Sequence, residues 1–131
     1  LGQSGATMHG HDTAAYARHW IEFRKTAGRE LLCLSQSPGP GYLRCWPTHS
    51  SAAAFLYNAD HSRGKKRLLY AINPHPWEER ILLDGLEPSD FLQLADHNGF
   101  SQNERGLNPS FFWLEGKLRM PPLSCALFAC C

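Results

Sequence analysis

In the stretch KLRMPPLSCALFA, running from Lys117 to Ala129, hydrophobicity follows two rules in succession. Leu118 and Met120 alternate with Lys117 and Arg119, the period-two pattern of a strand with one dry face and one wet face. Pro121 and Pro122 then remove two ladder donors and mark a strand junction or edge. From Ser124 to Ala129 the chain is almost wholly apolar, which predicts a second strand with Cys125 as a small buried hydrophobe. Just upstream, Glu115-Gly116 between Leu114 and Lys117 has the composition of a tight hairpin turn. Two strands and two turn signals within so short a stretch predict antiparallel sheet.

The same grammar extends upstream. Short strands are expected at Tyr42–Trp46, Ala53–Asn58, Arg67–Asn73, Trp77–Asp84, Phe91–Asp96 and Phe111–Leu114, each bounded by turn residues. Leu68 to Ile72 is continuously apolar, as a central strand covered on both faces requires. Ser37-Pro-Gly-Pro-Gly41 forbids regular structure, and Leu31 to Leu34 reads as a short strand or a last helical piece. One helix is expected from about Thr13 to Thr26. Asp12 or Thr13 offers its cap, and Gly28 offers a left-handed stop. Tyr16, Trp20 and Phe23 form its apolar stripe, and a stripe of that size must dock on something. The predicted fold is all-β: an antiparallel sandwich of about eight strands with one N-terminal helix packed against it. Residues 1–12 read as a linker or tail and residues 13–131 as one domain; a native start at Met8 is the other reading.

Composition narrows the function classes. With 131 residues, 43% of them apolar and 19% charged, the chain can bury a core without staples. A net charge of +1 with no basic block excludes the electrostatic footprint of a nucleic-acid binder. No apolar run nears the ~20 residues of a membrane span. The five cysteines are odd in number and lack chelating spacing, which points to reduced thiols and a cytoplasmic setting.

Candidate chemistry is sparse. His9, His11 and Asp12 are the densest ligand cluster, and a small metal-dependent enzyme built on them is one reading; incidental histidines in a terminus are the plainer one. Asp60-His61 and Asp96-His97 pair a carboxylate with an imidazole, but strand neighbours point to opposite faces and turn chemistry explains them. No nucleophile elbow or phosphate loop is present, so neither a catalytic residue, a metal nor a cofactor is expected. Aromatic side chains remain. Trp77 follows the rigid corner Pro74-His75-Pro76, Trp46 precedes Pro47, and Trp113 adjoins Phe111 and Phe112. Each is a candidate for stacking on a sugar face, against the alternative of core packing.

The run Leu68 to Pro76, with its strand ending in Asn73, resembles the C-terminal domains of (β/α)8-barrel glycoside hydrolases of the α-amylase or α-galactosidase type. So do Ile81–Leu83, Gly85 to Pro88, Phe91–Asp96 and the finish from Leu118 to Phe128. Trp20 to Lys25 is similar to the last helix of their barrel. The resemblance spans about Thr13 to Ala129 and implies a sandwich of about eight antiparallel strands that packs on a catalytic barrel. The expected role is a non-catalytic accessory domain that stabilises the barrel, with polysaccharide contact through the tryptophans as a separate hypothesis. The barrel's catalytic carboxylates have no counterpart here, so the isolated chain is expected to hydrolyse no glycoside. The helix carrying Tyr16, Trp20 and Phe23 would be the docking element toward the barrel or another protein. The competing reading is a free-standing module that binds a partner or a second copy through its helix or an edge strand.

Overall fold

The computed structural model describes residues 13–26, 28–87, 90–97, 112–114 and 117–130. Helix α1 (Thr13–Lys25) and a single helical turn, α2 (Arg29–Leu32), precede strands β1 (Leu43–Pro47), β2 (Ala53–Tyr57), β3 (Arg67–Asn73), β4 (Glu79–Leu82), β5 (Phe91–Asp96), β6 (Phe112–Leu114), β7 (Lys117–Met120) and β8 (Ser124–Cys130). All pairings are antiparallel. One sheet has the order β1-β2-β3-β8-β5 and the other β4-β7-β6. Among the described residues seven strands are four residues or longer, against the eight or so expected, and β6 is a three-residue ladder.

Register explains which side chains go where. Leu56, Leu69 and Phe128 lie in one cross-strand row, and Ala54, Ala71 and Ala126 in the next-but-one, all on one face of the larger sheet. They share a core cluster with Ile81, Leu83, Leu118 and Met120 of the smaller sheet and its flank. The intervening rows place Leu68, Tyr70, Leu127 and Ala129 on the opposite face, where they meet Trp20, Phe23 and Leu31. β3, the central strand of its sheet, therefore buries residues on both sides, which is why its sequence does not alternate. Between Gln93 and Ala95 a β-bulge shifts the register, and consecutive Leu94 and Ala95 both join the helix-facing cluster.

Gly28 corrects an expectation. Its φ of −92° is right-handed, and it caps α2 instead of ending α1 in a left-handed turn. Space is the reason for glycine: a Cβ there would lie 2.7 Å from the Phe23 ring. The tail 1–12, with His9, His11 and Asp12, and the Glu115-Gly116 turn lie outside the described residues. No described helix is long and apolar enough to cross a membrane.

Candidate functional site

The end of β3 turns a corner built around Asn73, which is 1% exposed. Its Nδ2 donates to the carbonyls of Trp77 (2.8 Å) and Pro121 (3.0 Å), and its Oδ1 accepts from the backbone of His75 (3.0 Å). With Pro74 and Pro76 limiting the backbone, these bonds fix the 74–78 segment against the turn that enters β8. Leu123, in that turn, donates its N–H to the His75 carbonyl at 2.8 Å and sits at φ 50°, a strained conformation for a bulky residue.

This corner presents Trp77, 53% exposed. The His75 ring stacks on it, centroids 4.6 Å apart and planes 12° from parallel. The indole N–H reaches Glu79 Oε1 at 3.2 Å, and Ser50 Oγ donates to Glu79 Oε2 at 2.7 Å. The backbone N–H of Ser51 donates to His75 Nε2 at 3.1 Å. A loop 24 residues upstream thus forms the rim of an aromatic platform. Beyond it, Glu78 is bridged to Arg119 and Arg80, and the Arg119 hydrogen bond leads in holding its carboxyl below the usual carboxylate value.

The other aromatic candidates are placed elsewhere. Trp46 is 7% exposed, opposite Ala54 in the inward row, and the Arg44 guanidinium covers its ring at 4.4 Å. It belongs to the core and offers no platform. Arg44 also donates to the Asp84 carbonyl at 2.8 Å, fastening β1 to the turn after β4. The side chain of Trp113 lies outside the described residues, although its backbone is in β6.

Tyr16, Trp20 and Phe23, the expected docking stripe, face this chain's own sheet. Phe23 is 5% exposed, Trp20 meets Tyr70 edge to face at 6.4 Å, and the Tyr16 hydroxyl donates to the Asp96 carbonyl at 2.6 Å. Burial pushes the pKa of the Tyr70 hydroxyl up to about 12 and raises those of the Tyr16 hydroxyl and the Cys125 thiol.

As chemistry, the Trp77 corner offers an exposed aromatic face rimmed by polar groups that are already hydrogen-bonded. Both Glu79 oxygens are engaged, and Glu78 is held by two arginines. Asp60 and His61 are turn residues: Oδ1 of Asp60 accepts from the backbone and hydroxyl of Ser62, and His61 sits at φ 59°. Among the described residues no three His, Cys, Asp or Glu side chains converge on a metal position. Sequence reasoning missed Ser50, Ser51 and Glu79, because only the tertiary fold brings residues 48–52 to residues 75–79. No family model, no curated protein and no solved structure matches this chain.

Proposed function

We propose that this chain is a non-catalytic accessory domain of a carbohydrate-active enzyme, and that Trp77 stacks on a pyranose ring of its glycan. The observation that carries this reading is the exposed indole at Trp77, stacked on His75 and rimmed by Ser50 and Glu79. A flat aromatic face suits the C–H groups of a sugar, and hydroxyls at its edge suit the sugar's own hydroxyls. The shared core between the two sheets supports a sandwich, with α1 as a cover on its far face. Contact with a catalytic barrel through α1 would use the outward side of the helix, where Ile21 is exposed, since the aromatic stripe is occupied. The free thiols of Cys33, Cys45 and Cys125 favour a reducing, cytoplasmic setting.

Titration with soluble maltooligosaccharides tests the binding. Tryptophan fluorescence should change saturably in the unmodified chain and stay flat in Trp77→Ala, whose unfolding should remain cooperative with only a small drop in midpoint because the ring is half exposed. A flat response in both proteins overturns the glycan assignment. Glycoside turnover that persists through repurification overturns the non-catalytic one.

A further inference from the structure

A backbone N–H can only donate, so the 3.1 Å bond from Ser51 makes His75 Nε2 the unprotonated nitrogen and places the neutral ring's proton on Nδ1. An added proton must then go to Nε2, where it faces the Ser51 donor. We propose that protonation of His75 breaks its bond to the Ser51 amide and shifts the imidazole stacked on Trp77, making the platform responsive to pH.

The surrounding bonds determine what gives way. The 48–52 loop is stiffened from within: Thr48 Oγ1 donates to the Ala52 carbonyl at 2.9 Å and accepts from the Ser50 amide at 3.1 Å. Ser50 also anchors it to Glu79. The backbone of His75 is held on both sides, by Asn73 Oδ1 and by the Leu123 N–H. The imidazole is left as the movable part, and it is the ring beneath Trp77. The segment of His75 itself carries Glu78, β4 carries Glu79 and Arg80, the loop carries His49, and β7 carries Arg119, which with Arg80 bridges Glu78; the 121–124 turn carries none. Wherever the ring takes its proton, the Ser51 bond is lost.

Nitrogen-15 NMR of the full chain, titrated over roughly pH 8 to pH 5 where histidines ordinarily ionise, tests this directly. The His75 ring should carry its proton on Nδ1 at the alkaline end. The Ser51 amide and the Trp77 indole N–H should shift with the His75 ring at one midpoint, and His49→Gln should leave that behaviour intact. His75→Gln should abolish the shift at Ser51. A proton on Nε2 at the alkaline end, a Ser51 amide that stays still while His75 titrates, or a shift surviving in His75→Gln overturns the proposal. The consequence for ligand rests on the carbohydrate reading above: maltooligosaccharide affinity should fall roughly five-fold on protonation, the equivalent of one hydrogen bond. Co-titration in a chain that binds no sugar leaves the switch standing and removes only that reading. Sugar binding that ignores a demonstrated co-titration overturns the consequence.

Discussion

Asn73 does at one position what the prolines beside it cannot. Pro74 and Pro76 narrow the backbone, but Asn73 ties the corner to the turn after β7 through donors and an acceptor on one side chain. Replacing it with Ala leaves buried carbonyls and an amide without partners. Asn73→Ala should cost about 3 kcal/mol, read as a lower urea midpoint with an unchanged slope. Asn73→Asp keeps the acceptor toward His75 but turns oxygen toward the carbonyls of Trp77 and Pro121. It should be at least as destabilising, more so once the carboxyl ionises, and an unaltered midpoint in either variant would remove Asn73 as the organiser of the corner. Part of this was legible: proline on both sides of His75 announced a rigid corner with Trp77 at its exit. The choice of Trp77 over Trp46 as the exposed ring was not, since both adjoin proline. Only the pairing of Trp46 with Ala54 in the inward row separates them.

Helix α1 shows the same division at the scale of an element. Its stripe and its length follow from spacing, and the strand bounds at Arg67–Asn73, Phe91–Asp96 and Lys117–Met120 follow from hydrophobic runs ending at turn residues. What the stripe docks against does not, because any apolar surface satisfies a stripe; here it is the face of Leu68, Tyr70 and Leu127. The bulge between Gln93 and Ala95 was equally hidden, since it depends on the partner strand. The cover that α1 provides has a titration signature. Tyr70 ionises near 12 instead of its ordinary 10.0, chiefly because burial penalises the phenolate. A raised folded-state value stabilises fully below the unfolded value, and the contribution is lost as pH climbs from about 10 toward 12. Trp20→Ala uncovers that ring. It should cost about 2 kcal/mol, less than a fully buried aromatic, and move the absorbance midpoint of Tyr70 back toward its ordinary value. An unmoved midpoint would mean that the sheet, not the helix, desolvates Tyr70. Phe23→Ala, fully buried, should cost about 3–4 kcal/mol by urea denaturation.

For the molecule as a whole, β8 is the strand on which both layers depend. It lies between β3 and β5, so its removal splits the larger sheet into a three-strand piece and an unpaired strand. Ala126 and Phe128 leave the core between the sheets, while Leu127 and Ala129 leave the face under α1. No other strand of the larger sheet is hydrogen-bonded to two partners that lie so far upstream in sequence. Each pairing closes a long loop before contacts offset its entropy, which predicts folding on the slow side for a domain of this size, in milliseconds to seconds. A chain truncated after Leu123 should therefore have no native state to fold to, because the loss exceeds the whole stability of a domain, about 5–15 kcal/mol. Its urea curve should lack a cooperative step, its near-ultraviolet circular dichroism should be flat, and its exposed sheet edges should drive association. A sigmoidal curve with the slope of the intact chain would show that β1-β2-β3 and α1 fold without β8. The two clusters would then be separable units instead of faces of one sheet.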